Sequence, residues 1–221
     1  MIVGLRRRMS RGIDFSASYT LGKAESIIGT ANDELDANYI QDATNPTADV
    51  NYGPTARTDS RHRVTVSAVI QMPFGFQVSP FFIFRSALPI HTFEGIDLNG
   101  DSNVNEITGQ AYKYTSLNDD GTANVEENGA CETVNCSRQA TFSQLNLRVS
   151  KGFRLWGTAR VEAIGELFNV LNATNPAFAL TTRRLSAAGA PQGSFMQPTA
   201  FAGDFRQPEQ RVGQIGFRFS F

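Results

Sequence analysis

The chain has no run approaching the ~18 consecutive apolar residues that a membrane-crossing helix needs. Helical spans are excluded. Membrane strands are not, because their alternation averages out on a hydropathy scale. Charge of one sign is also lacking, with a formal net charge of −1 over 221 residues. That balance gives no electrostatic case for nucleic acid as a partner. Arg6, Arg7, Arg8 and Arg11 make one short basic cluster of the kind found on solvated turns.

Histidine and cysteine are scarce, with two of each. His62 and His91 lie far in sequence from Cys131 and Cys136, so neither a structural zinc set nor a disulfide scaffold can be assembled. P-loop, GxGxxG, metalloprotease and nucleophile-elbow motifs are missing. No catalytic, cofactor-binding or metal-binding residue is assigned, no cofactor is expected, and an enzyme is not expected. The opening MIVGLRRRMS has neither an apolar core nor a small-residue cleavage site, so no export signal is visible in it. Cys131 and Cys136, in CETVNC, can close a small loop as a disulfide in an oxidising compartment; two free thiols are the alternative.

What is present is alternation, the mark of strands with two unlike faces. In IDFSASYTL, Ile13, Phe15, Ala17, Tyr19 and Leu21 share one parity against Asp14, Ser16, Ser18 and Thr20. HRVTVSAVIQM sets Val64, Val66, Ala68, Ile70 and Met72 against Arg63, Thr65, Ser67 and Gln71. FQVSPFFIF sets Phe76, Val78, Phe82 and Phe84 against Gln77 and Ser79, with Phe81 and Ile83 blurring the polar side. SQLNLRVSK, TARVEAIGEL and the terminal RVGQIGFRFSF repeat the pattern, the last with Phe217, Phe219 and Phe221 in line. The opening VGLRRRM aligns Val3, Leu5 and Met9 as the end of one more strand. VEAIGELFNVLN also places Ala163, Leu167, Val170 and Leu171 at helical spacing, so a helix competes there.

The connections alternate between short and long. Ser10 to Gly12, Pro73 to Gly75 and Gly152 to Arg154 read as tight turns. Residues 22–60, 87–140 and 169–210 read as long loops without structure of their own. Such loops are rare in compact soluble domains, and all three fall at one end of an up-and-down meander. Outer-membrane barrels show this asymmetry, with short periplasmic turns and long extracellular loops. The expected fold is therefore all-β: an antiparallel up-and-down transmembrane β-barrel, present in part as about seven strands. Its apolar parity meets lipid, its polar parity a wet lumen, and its C-terminus is periplasmic. Tyr19, Phe74, Phe76, Trp156 and Phe221 fall near strand ends, where aromatic girdles belong.

Five segments in order, RRRMSRGIDFSASYTLGKA, TDSRHRVTVSAVIQMPFGF, GIDLNGDSNVNEITG, FSQLNLRVSKGF with RVEAIGELFNVLNATNP, and the strand ending at Phe221, resemble the C-terminal part of a TonB-dependent outer-membrane receptor. The likeness is greatest to the large type that carries a carboxypeptidase-regulatory-like domain and a plug. It implies energised uptake across the outer membrane and a barrel of about 22 strands, of which residues 1–221 supply roughly the last third. It also implies recognition of Phe221 by the barrel assembly machinery, and contact with the TonB complex through N-terminal regions. Seven strands leave two unpaired edges, so the chain is expected to be a fragment: a truncated gene, a start misplaced at Met1, or one piece of a broken gene. A surface-exposed barrel acting as an adhesin and a soluble β-sandwich that binds ligands are the competing classes.

Three constellations are candidate sites. Asp97, Asn99, Asp101, Asn103 and Asn105 alternate as the oxygen ligands of a calcium loop do, but Ser102 replaces the turn glycine and Thr108 the bidentate Glu; turn formation is the plainer reading. Glu162 and Glu166 share a face with Arg160, yet lie roughly 13 Å apart along a strand, too far for paired acid–base work. They suit a charged lumen wall. Arg57, Arg61, Arg63, Arg183, Arg184 and Arg206, in or beside the long loops, can attract an anionic ligand or simply be solvated.

Overall fold

The computed structural model describes residues 1–26, 44, 52–56, 58–98, 100, 102, 108–177, 183–201 and 211–221. Its strands, in chain order, are β1 (Ile2–Ser10), β2 (Ile13–Leu21), β3 (Glu25–Ser26), β4 (Gly53–Pro54), β5 (His62–Gln71), β6 (Phe76–Arg85), β7 (Pro89–Ile90), β8 (Gln110–Leu117), β9 (Ala123–Ala130), β10 (Ser137–Arg138), β11 (Phe142–Arg154), β12 (Arg160–Phe168), β13 (Pro176–Ala177), β14 (Ala200–Phe201) and β15 (Val212–Ser220).

Seven of them form one antiparallel sheet in the order β1-β2-β5-β6-β11-β12-β15, each long strand beside the next along the chain. These are the seven segments that alternate in sequence. The helix that competed at Val161–Asn172 does not form: Arg160–Phe168 is a strand, because both of its edges are paired, with β11 and with β15. The sheet is open, with β1 and β15 at its edges.

The registers keep the two parities apart across the sheet. Tyr19 pairs with Val64, Val64 with Phe84, Val66 with Phe82, Phe82 with Leu145, Leu147 with Leu167, and Ala163 with Phe217. Ser18 pairs with Thr65, Ser79 with Arg148, and Arg148 with Glu166 on the other side. A slip of one residue anywhere would have mixed the faces. One irregularity does occur: a bulge between Arg7 and Ser10 breaks the alternation of β1. Met9 therefore does not continue the Val3–Leu5 line, and its amide is taken by Asp14.

None of the residues on the apolar face is buried, and Ile215, Phe217 and Phe219 are exposed. A face of this size left open to the surroundings is not how a water-soluble sheet ends.

The short turns lie at one end. Ser10 pairs with Ile13 around Arg11 and Gly12, both at positive φ, as a two-residue hairpin requires. Pro73–Gly75 is a single 3₁₀ turn closed by the Met72 amide on the Phe76 carbonyl at 2.8 Å. The third turn is not at Gly152–Arg154. Gly152 pairs with Glu162 inside β11, and the chain reverses over residues 155–159, where Leu155 N–H donates to Ala159 at 3.0 Å and Gly157 takes φ +57°. A glycine in a strand had mimicked a turn.

The long connections are not structureless. The second carries the β8–β9 hairpin, and β7, β10, β8 and β9 make a four-stranded sheet of their own. Around it the three connections pack into one cap, which holds the buried core: Ile90, Ala123 and Met196, flanked by Tyr112, Tyr114, Leu117, Val125 and Phe195. Among the described residues the buried apolar core thus lies in the cap rather than on the large sheet.

Candidate functional site

The polar face carries a graded set of charges and hydroxyls. Arg148 lies opposite Glu166 and meets it at 3.7 Å; Gln214, opposite Glu166 on the next strand, donates to the same carboxylate. Glu162 lies opposite Arg218 at 3.5 Å. These are cross-strand pairs of opposite charge, each set by register. Glu162 and Glu166 thus have separate partners and make no carboxylate dyad.

Ser67, Val69, Ser79, Phe81, Asn146, Arg148, Glu166 and Phe168, all on this parity, line a shallow depression of about 320 Å³. Phe81, which blurred the alternation in sequence, contributes an apolar wall between Ser67 and Asn146, its cross-strand neighbours. The lining is mostly apolar, from Val69, Phe81 and Phe168, with Asn146, Arg148 and Glu166 supplying its polar groups. Among the described residues no group of three or more His, Cys, Asp or Glu side chains could hold a metal ion.

The long-loop end has its own electrostatics. Arg184 grips Glu94 with Nε at 2.8 Å and Nη2 at 2.7 Å, joining the second and third connections. This hydrogen bonding raises the Arg184 pKa above the ordinary guanidinium value. Burial raises the Tyr112 phenol, whose ring meets Phe195 edge-on at 4.9 Å. The Cys131–Cys136 disulfide is formed, closing the CETVNC loop; the free-thiol alternative does not hold.

The remaining sequence candidates separate. Asp97 accepts the amides of Gly100 at 2.6 Å and Ser102 at 2.8 Å, so its carboxylate shapes its own turn. Asn99, Asp101, Asn103 and Asn105 lie outside the described residues, as do Arg57 and Arg206. Arg183 and Arg184 are in the cap, while Arg63 is on the polar face at the outer end of β5. Of the aromatic set, Phe74 and Trp156 project from short turns at 89% and 77% exposure. Tyr19, at the other end, hydrogen-bonds His62 Nδ1 at 2.7 Å. Phe76 shares the ammonium of Lys151 with Phe153, at 4.5 and 5.1 Å, which covers the one lysine on the apolar parity of the large sheet. Arg85, Arg148 and Gln214 were not singled out by sequence. Their parity was visible, but their partners depend on register.

An open, one-sidedly apolar antiparallel meander with its loops gathered at one end is the architecture of an outer-membrane barrel wall. Residues 1–209 match the family of the outer membrane beta barrel domain, and the chain belongs to that family. Its place is accordingly the outer membrane. No curated protein and no solved structure matches the chain.

Proposed function

We propose that the chain is part of a TonB-dependent outer-membrane transporter, taking up a ligand with energy delivered from the inner membrane. The observation that carries this reading is the polar face: a charged, hydroxyl-rich wall with a depression in it, backed by an uncovered apolar face. A wall of that kind suits a wide wet lumen. The ordered likeness of its segments to the C-terminal part of such receptors supports the transport class.

In this reading the apolar face meets lipid and the cap stands on the extracellular side. Phe221 ends at the periplasmic rim, where the barrel assembly machinery recognises it. The energising complex engages regions of the transporter other than these strands. The lumen wall binds and passes solute without chemistry on it. An adhesin would share the wall and the cap but not the uptake.

The test is uptake. Cells with and without the gene are offered labelled ferric chelates and oligosaccharides, with and without a protonophore. Transport that needs both the gene and the proton gradient supports the reading. Surface binding without gradient-dependent uptake overturns it in favour of the adhesin.

A further inference from the structure

The carboxylates on the polar face, Asp14, Glu162 and Glu166, each have a partner. Two places on this face break the rule of opposite charges: Arg154 faces Arg160 at the short-turn end, both exposed, and the second pair lies at the other end. Arg63 and Arg85 lie directly opposite one another at the long-loop end of β5 and β6. Like charges in that position destabilise a sheet. Neither makes a salt bridge with a described residue. On this face the nearest carboxylate, Glu166 paired with Arg148, is level with Ser79, six residues along β6 from Arg85 and so roughly 20 Å away at ~3.3 Å per residue; Asp59, four residues before Arg63, is engaged by Arg138.

Arg85 is also held. Its guanidinium carbon lies 5.6 Å from the centre of the Phe142 ring, on the adjacent strand. Its Nε is buried and has no hydrogen-bond partner. A donor left in that state costs stability unless something accepts from it. Arg63, by contrast, is exposed. The pair thus combines one fixed fork and one free one, just beneath the cap.

We propose that Arg63 and Arg85 form an anion subsite at the mouth of the lumen, which takes an oxyanion, carboxylate or phosphate, borne by the transported solute. This rests on the transport reading for what the face is used for, though not for whether it binds. Two guanidinium forks match the geometry of such groups, and an anion between them cancels the repulsion that the register imposes. The substrate class becomes anionic solutes, such as polycarboxylate chelates or phosphorylated sugars, rather than neutral ones.

The experiment uses the protein extracted from outer membranes in detergent and freed of lipopolysaccharide, with binding of labelled inorganic phosphate and citrate measured by equilibrium dialysis. Saturable binding is expected, weakened by about tenfold or more in the Arg63→Gln/Arg85→Gln double variant. Arg11→Gln, which removes an exposed arginine from the short turn at the far end of the sheet, should leave it unchanged. Arg85→Lys keeps the charge but loses the fork, and should weaken binding even if the double variant fails to assemble. Absence of saturable binding in the parent protein, equal binding by Arg85→Lys, or an equal loss in Arg11→Gln each overturns the subsite. If binding behaves as expected while uptake ignores the proton gradient, the subsite stands and the transport reading falls.

Discussion

Asn135 Nδ2 donates to the Pro54 carbonyl at 2.8 Å, across 81 residues of sequence. Asn135 is the residue before Cys136, almost fully buried, so the disulfide loop is a knob seated in the first long connection. Arg138 adds an ion pair to Asp59 at 3.6 Å, and Asp59 in turn accepts the Ala24 amide at 2.8 Å.

Two substitutions test that seat. Asn135→Ala removes the bond to Pro54 and is expected to cost about 1–2 kcal/mol locally. Gly53→Ala attacks it sterically, since a Cβ there would lie 2.5 Å from the Val134 carbonyl oxygen. Overpacking of that kind costs about 1–3 kcal/mol. Hydrogen exchange should show both variants losing protection in residues 52–56 and 131–138, with the large sheet unchanged. Intact protection there would mean that the contact carries no weight.

Met196 is the most buried large side chain of the cap, at 1% exposure. Nearby, Gln197 accepts the Ala123 amide at 2.6 Å and donates to the Ala123 carbonyl at 3.2 Å, as a neighbouring strand would. Met196→Ala is expected to destabilise the cap by about 2–5 kcal/mol. Limited proteolysis should then cut between β8 and β9, or in residues 183–201, at sites resistant in the parent. Resistance equal to the parent's would show that the cap does not depend on this core.

Asp120, in the β8–β9 turn, accepts from the Thr122 hydroxyl at 2.6 Å and from its amide at 2.9 Å. Those bonds favour the carboxylate and lower its pKa from the ordinary 3.8. A carboxyl depressed in the folded state adds stability that is fully present above its unfolded value and is lost as pH falls through the folded one. The protection of the Thr122 amide, its exchange rate relative to an unstructured amide at the same pH, should therefore hold above pH 3.8 and fall below it. Asp120→Asn should flatten the profile. A Thr122 profile unchanged by that substitution would assign the protection to the strands alone.

The large sheet was legible because alternation survives wherever one face must be unlike the other, and all seven long strands show it, β1 only as far as Leu5 and β6 with Phe81 and Ile83 on its polar side. Gly152 misled because a strand glycine looks like a turn until its partner, Glu162, is known. The cap was illegible for a different reason. β9 is mostly exposed and polar, the alternation of Tyr112 and Tyr114 against Lys113 and Thr115 in β8 is too short to stand out, and their core is completed by Met196 from the third connection. For Cys131 and Cys136 the sequence left two readings, a local disulfide and two free thiols, and the fold selects the first. Arg63 was visible as a cation beside a loop, but its opposition to Arg85 depends on the length of the Pro73–Gly75 turn, which sets the register of β5 on β6.

That register makes the final prediction. Val66 pairs with Phe82, and Leu147 with Leu167, on the apolar face. Thr65 pairs with Ser18, and Asn146 with Phe81, on the polar one. Spin labels at Val66 and Leu147, in the protein in its membrane, should be relaxed by lipid-dissolved oxygen. Labels at Thr65 and Asn146 should respond to a water-soluble nickel chelate. Because successive strand residues point to opposite faces, adjacent labels should give opposite answers. A reversed pattern would place the charges of Arg148, Glu166, Glu162 and Arg218 in hydrocarbon, where each costs several kcal/mol, about 2–4 for an arginine at the midplane. Such a result would overturn the assignment of lumen and lipid faces, and the anion subsite at Arg63 and Arg85 with it.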